Sequence, residues 1–312
     1  MNNFSNNNTL NWLLKGDVSI QYQVYHDLLN KQRSVLRKRI SKEGWGFKFL
    51  SKRNENGHWG KAFYQPKWTS THYTLLDLKN LAISPNIKEI KQTLSMILKG
   101  NKSEDGGIMP IGTVKVSDVC INGMFLNYAC YFQSNEEELK SVVDFLLSQQ
   151  MKDGGFNCHS NRIGAVHSSL HTTLSVLEGI LEYKKNNYKY RLKELQKAET
   201  ESIEFILMHK LFKSDKTGEI IKNQFLKLSY PPRWYYDILK ALDYFQSAKV
   251  KYDKRMQDAI DVILKKRKPD NKWLLQANHP GQTHFEMEKV SQPSRWNTLR
   301  ALRVLKYFNI DS

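Results

Sequence analysis

A turn built around glycine returns after successive amphipathic stretches: LSKRNENGHWG (50–60), LKGNKSEDGGIM (98–109) and LLSQQMKDGGFN (146–157), about 50 residues apart. LKKRKPDNKWLL (264–275) is a looser copy, and LFKSDKTGEI (211–220) is a degenerate one in the gap before it. A fixed period of this length marks a chain made of one supersecondary unit stacked on itself, because a single unit cannot bury its own apolar face.

Between the turns a short polar stretch opens an apolar helix: TSTHYTLLDLKNL (69–81), VSDVCINGMFLNY (116–128), HSSLHTTLSVLEG (167–179), PPRWYYDILKALDYF (231–245) and PSRWNTLRALRVLKYF (293–308). VSIQYQVYHDLL (18–29) is a sixth copy. Ser, Thr, Asp or Pro at these starts suits a helix N-terminus, where side-chain oxygens cap free N–H groups and Pro needs none. The other helix of each unit is amphipathic, as in NEEELKSVVDFLLSQQ (135–150) and DKRMQDAIDVILKK (253–266). Apolar helices alternating with amphipathic ones imply an inner layer covered by an outer one. Nothing has the period-2 pattern of a sheet, so the class is all-α.

Such a repeat either stacks as an open solenoid or closes into a ring, and its period is long for common open solenoids. At this point the chain resembles the α/α toroids of terpenoid cyclases, the squalene cyclases among them, and of protein prenyltransferase β subunits. The likeness rests on the cyclase turn motif Q-x-x-x-G-x-aromatic, here QQMKDGGF (149–156), with related turns at ENGHW and DNKW. It covers about residues 10 to 308 and implies a double ring of five to six helical hairpins. The whole chain, 1–312, is expected to form a single toroid domain, with residues 1–9 as a flexible tail.

Composition bounds the function. Of 312 residues, 40% are hydrophobic and 25% charged, enough for a sizeable core without disulfides. Three cysteines without C-x-x-C spacing argue against a disulfide framework and leave thiols for a metal. The net charge of +17 suits an anionic ligand or peripheral contact with a membrane face. No nucleic-acid-binding signature accompanies it, so no specific nucleic acid partner is expected. MNNFSNNNTL lacks the pattern of a signal peptide, and the expected location is cytoplasmic.

In a ring, the N-termini of the inner helices converge on one mouth of a central cavity. Aligned on the helix starts, one position reads Tyr22, His72, Cys120, His171, Trp234, Trp296. Asp118, Cys120 and His171 would offer zinc a carboxylate, a thiolate and an imidazole. On a regular helix i and i+2 diverge, but an Asp118 at the N-cap would swing to the side that Cys120 faces. The helix N-terminus would also lower the thiol pKa.

The resemblance sharpens this set. Prenyltransferase β subunits hold zinc through Asp-x-Cys at one inner-helix start and His at the next, which VSDVC and LHTTLSVLEG match. The family's diphosphate-contacting Lys matches Lys115, whereas its Arg and its aromatic stand here as Gly112 and Ile121. By this likeness zinc would activate a substrate thiol toward an isoprenoid diphosphate. His72 is then a further ligand or a diphosphate donor, and His167 and Cys158 are alternative ligands. A partner subunit, as prenyltransferases have, is a further implication.

Two other readings stand beside it. The cyclase acid motifs D-x-D-D and D-C-T-A-E are absent, as is DDxxD. A metal-free cyclase would have to use Asp237, in RWYYDIL, as its acid, with aromatic walls to stabilise a carbocation. Arg233 is placed to bind an anion at the mouth. The third reading is a non-catalytic toroid that binds a lipid or a protein. The expected cavity is apolar and aromatic-lined, and the expected substrate of the enzyme is lipophilic, with or without a diphosphate.

Overall fold

In the computed structural model, which describes residues 7–110 and 116–310, the repeated turns share one geometry. A backbone N–H bonds forward to a carbonyl: Asn54 to His58, Ser103 to Gly107, Met151 to Gly155, Ser214 to Glu219 and Lys268 to Lys272. The bend falls on a residue with positive φ, namely Gly57, Gly106, Gly154, Gly218 and Asn271, at +57° to +88°. A side chain's Cβ disfavours that region, which is why glycine or asparagine recurs there. Two residues on, Trp59, Ile108, Phe156 and Trp273 are fully buried. Each also donates its backbone N–H to an inner-helix side chain: Thr71 at 3.0 Å, Asn122 at 2.7 Å, Thr173 at 2.9 Å and Thr298 at 3.1 Å. The turn motif thus fastens an outer helix to the inner helix that follows.

Among the described residues six outer helices precede six inner ones. The outer helices are α1 (Asn7–Leu14), α4 (Gly44–Leu50), α6 (Lys88–Gly100), α8 (Glu136–Ser148), α11 (Leu192–Met208) and α13 (Gln257–Lys265). The inner ones are α2 (Val18–Gln23), α5 (Thr71–Asn80), α7 (Val119–Tyr131), α10 (Leu170–Lys185), α12 (Ile238–Ser247) and α14 (Arg295–Tyr307). α2 runs into a π-helical turn, Val24–Leu28, and the short helices α3 (Ser34–Arg39) and α9 (Ser160–Ile163) lie in connections. Inner and outer differ in burial: α7 buries 11 of its 13 residues, α8 only 5 of 13. Regular β structure among the described residues is one pair, β1 (Trp273–Leu274) with β2 (Pro293–Ser294). The fold is an all-α α/α toroid.

Asp17, Asp118, Asp237 and Ser294 cap α2, α7, α12 and α14, accepting from the N–H of Ser19, Ile121, Lys240 and Asn297. Each cap contributes about 1 kcal/mol. Two details differ from the sequence reading. α12 begins at Ile238, four residues beyond Trp234, because Pro231–Tyr236 forms a turn and Asp237 takes the cap. In the expected tail, residues 7–9 belong to α1, with Thr9 buried against the carbonyl of Asp270; residues 1–6 lie outside the described residues. No described helix is long and apolar enough to cross a membrane.

α7 touches α5 on one side and α10 on the other, α12 touches α14, and α14 returns to α2 and the π-turn. The α7–α10 contact is the tightest kind of helix crossing, made through glycines. A Cβ on Gly179 would stand 2.6 Å from the Gly123 carbonyl oxygen, and one on Gly123 2.8 Å from the backbone of Ser175. Gly179→Val should therefore overpack the crossing and cost about 1–3 kcal/mol. Chemical denaturation reads this directly, and an unchanged midpoint would show that the two helices part freely.

Candidate functional site

The inner helices enclose an axial cavity of about 390 Å³ whose wall carries seven basic and four acidic side chains. This overturns the expected apolar lining. The helices look apolar in sequence because most of their surface packs on neighbours, while the few charged positions on each gather at the axis. Those charges pair around it. Lys79 of α5 meets Glu182 of α10 at 3.3 Å, and Glu178 of α10 meets Lys240 of α12 at 3.3 Å. Asp243 of α12 takes Arg303 of α14 on both oxygens, at 2.6 and 2.7 Å, and Arg300 at 3.3 Å. Arg303 then reaches Asp27 of the π-turn at 2.9 Å, and Gln23 of α2 bonds the carbonyl of Asn80 on α5. Burial alone would lower the affinity of Arg303 for its proton, but Asp243 and Asp27 together raise it.

Asp27 also accepts from His26 at 2.6 Å, which raises the His26 pKa. Tyr22 and Trp296 line the same cavity, with Trp296 stacked on Tyr230 at 4.5 Å. Lys185, also in the wall, makes no ion pair among the described residues; lost hydration lowers its pKa and Glu182 pulls it back up.

At the N-terminal mouth, Asp118 spends one oxygen on its cap at 3.0 Å from the Ile121 N–H. Cys120 is half-buried; burial raises its thiol pKa, and Asp118 and Cys158 push the same way. His171 accepts the Tyr236 N–H on Nδ1 at 2.9 Å and is packed by Phe225, Trp234, Tyr235 and Tyr236. Burial lowers its pKa to about 4. Among the described residues no three His, Cys, Asp or Glu side chains gather to hold one metal ion. The structure therefore does not gather Asp118, Cys120 and His171 into such a group; one oxygen of Asp118 serves the helix cap and Nδ1 of His171 a backbone N–H.

The remaining expected site residues part company. His72 is wholly buried, with Nδ1 on the Tyr128 hydroxyl at 3.0 Å and its ring against Phe63, Tyr64 and Tyr73. It reaches no mouth, and burial drops its pKa to about 3. Asp237 is no free acid: one oxygen caps α12 through Lys240 at 2.7 Å and the other accepts the Ser229 hydroxyl at 3.1 Å. Trp234 stacks on Tyr235 at 3.9 Å, with the Lys67 ammonium 5.2 Å from its ring. Lys115 lies outside the described residues.

A second cavity of about 210 Å³ lies under the 275–292 loop, which covers this mouth. The Trp68 indole bonds the Pro280 carbonyl at 2.6 Å, His284 meets Thr74 at 2.9 Å, and His279 stacks on Tyr235 at 3.7 Å. Glu288 of the loop accepts from the Arg295 N–H at 2.7 Å and so braces the start of α14. Arg233 and Tyr230 line both cavities. Close by, Asp77 of α5 is 3% exposed with neither oxygen hydrogen-bonded. Burial raises its pKa to about 6 against the pull of Arg233. Sequence reasoning passed over Asp77, although an acid inside the apolar run THYTLLDLKN was the signal available.

No family model matches the chain, and no curated protein matches it by sequence. Among solved structures it is similar to a polysaccharide lyase, with a TM-score of 0.54 and 11% identity over 99% of both chains. It is also similar to a type II terpene cyclase from Scytonema in complex with geranylgeranyl dihydroxybenzoate, with a TM-score of 0.45 and 11% identity over 95% of this chain and 88% of the other. Likeness at this identity shows the toroid fold and nothing of the chemistry.

Asp77 also makes stability depend on pH. Its folded pKa lies above the unfolded value, so the folded state binds more protons between about pH 4 and 6 and stability falls as pH rises through that window. Asp77→Asn should stabilise the protein at pH 8, on the order of 2–3 kcal/mol, and change little at pH 4. Urea unfolding at the two pH values measures this; equal shifts at both would mean that Asp77 carries no such burden.

Proposed function

We propose that the protein is an enzyme that takes a hydrophilic, anionic substrate into its axial cavity. The lining carries this reading, with seven basic side chains against four acidic ones and Lys185 left unpaired among the described residues. Ion pairs lining a cavity keep part of their hydration, and an apolar chain laid against them would remove that water and return no hydrogen bonds. A hydroxylated anion, such as a sugar acid, replaces the water bond for bond. Catalysis rather than storage is favoured by the perturbed groups beside the cavity, His26 raised by Asp27 and Asp77 raised by burial. A polysaccharide is the substrate class that the name of one structural neighbour carries, but the charge of the cavity is what supports the reading here.

A second reading keeps an isoprenoid diphosphate, favoured by a different place. At the mouth, Trp68 and Trp234 flank the Lys67 ammonium at 4.7 and 5.2 Å, an arrangement of apolar faces and a cation.

Ligand titration separates the two. Oligomers of glucuronic acid should bind the native protein and raise its Tm. Affinity should fall with added salt, and Lys185→Met should weaken it roughly tenfold, the loss of one charge-assisted contact. Mass spectrometry of the mixture then reads turnover. Farnesyl diphosphate binding that withstands Lys185→Met, with sugar acids ignored, would remove the cavity reading in favour of the mouth.

A further inference from the structure

We propose that Arg233 and Asp77 form a seat for a single oxyanion group, carboxylate or tetrahedral, in the wall between the axial cavity and the chamber under the 275–292 loop. The seat deepens the reading above by naming where the anionic end of such a substrate would rest, but it stands on other atoms and is tested separately.

Arg233 is 5% exposed, yet its Nε and Nη1 have no hydrogen-bond partner. Its backbone is strained, at φ +54°, where side chains other than glycine's are rarely found. The strain is held in place from outside, since the Arg233 carbonyl accepts the Lys240 ammonium at 2.9 Å and Lys240 is itself paired with Glu178. Trp68 packs on the guanidinium at 4.5 Å. The result is a buried cation that lines both cavities and has two nitrogens without partners.

Asp77 supplies the opposite need. Both its oxygens are unpartnered, and it interacts electrostatically with Arg233 while making no ion pair among the described residues. Leaving a buried polar group without a bond is unfavourable, so groups of opposite charge both left open define the outline of a guest. The guest must accept from Arg233 and share a hydrogen with Asp77. An oxyanion does both once Asp77 holds a proton, since two bare anions side by side would repel. His279, whose Nε2 is also unpartnered, lines the chamber close enough to feel Arg233. The titratable and charged groups that face the seat are Tyr73 on α5, Lys67 ahead of it, Arg233 and Tyr230 on the 229–237 connection, and His279 and His284 on the covering loop, with Glu288, Arg300 and Arg303 beyond Tyr230.

Binding above about pH 6 therefore takes up one proton, and affinity should drop tenfold for each further pH unit. Calorimetry on the full chain with sulfate and with formate, neither of which titrates between pH 5.5 and 8, tests this. Saturable binding of sulfate points to a phosphate-like guest, and of formate to a carboxylate. Arg233→Gln should weaken the binding at least tenfold. Arg233→Lys, which keeps the charge beside Trp68 but not the planar fork, should also weaken it and guards against a misfolded variant. Asp77→Asn should abolish the pH dependence.

The proposal is overturned if the folded protein binds neither anion, as it would with only water between the two side chains. It also fails if both Arg233 variants bind as the native chain does, which marks an adventitious ion only, or if the pH slope survives Asp77→Asn. Sulfate or formate held at the seat while sugar acids are refused leaves the seat standing and removes only the wider reading.

Discussion

The toroid is closed by charge. Arg303, near the end of the chain, holds Asp243 on the helix before it and Asp27 near the start, so one guanidinium joins the last inner helix to the first. From there the pairs run on through Lys240–Glu178 and Glu182–Lys79, and Gln23 returns the circuit to α5. Buried ion pairs of this kind contribute little net stability over an apolar filling, because desolvation offsets most of the attraction. What they supply is direction. A hydrophobic contact tolerates sliding, whereas the bidentate Arg303–Asp243 pair fixes the rotation and height of α14 against α12. Breaking one partner would leave a buried charge uncompensated, which makes the register of the ring hard to slip.

The repeat in the sequence carried the fold because the same backbone problem is solved the same way each time. Gly57, Gly106 and Gly154 sit at equivalent bends, and Trp59, Ile108 and Phe156 are buried at equivalent depths behind them. Asn271 and Trp273 repeat the solution in the copy that looked loosest. Where the pattern misled was PPRWYYD. Two prolines before a Trp resemble a helix start, but the strongest capper in the run is Asp237, and the helix waits for it. An N-cap oxygen satisfies a backbone donor that proline only removes. The aligned set Tyr22, His72, Cys120, His171, Trp234, Trp296 thereby lost a member, and His72 lost its place through burial among aromatic rings.

The site was less legible for a related reason. Residue type suggests a ligand only where the side chain is free to act, and freedom is a property of packing. Asp118, His171 and Asp237 read as functional, yet a cap, a backbone N–H and a cap with a serine occupy them. Asp77 read as nothing, and it is the carboxylate left open. Arg233 was singled out for the mouth, and the structure adds two buried donors without partners on a guanidinium that feels the charge of Asp77.

Ring closure also explains why charge gathers at the axis. Six helices packed at ordinary separations of about 8–10 Å leave a central hole too wide for backbones to fill and narrow enough for side chains to span. Leucine or phenylalanine there would seal the hole into a second core, adding stability and ending access. The chain instead sets Lys79, Glu178, Glu182, Lys240, Asp243 and Arg303 at the axis, accepting a desolvation cost that apolar residues would avoid. A ring held by side chains that prefer water leaves a charged cavity where apolar residues would have closed a second core. The same groups that fix the helices thus give the cavity its charge, and Lys240 pairs with Glu178 across the ring while holding the carbonyl of Arg233 in its strained turn.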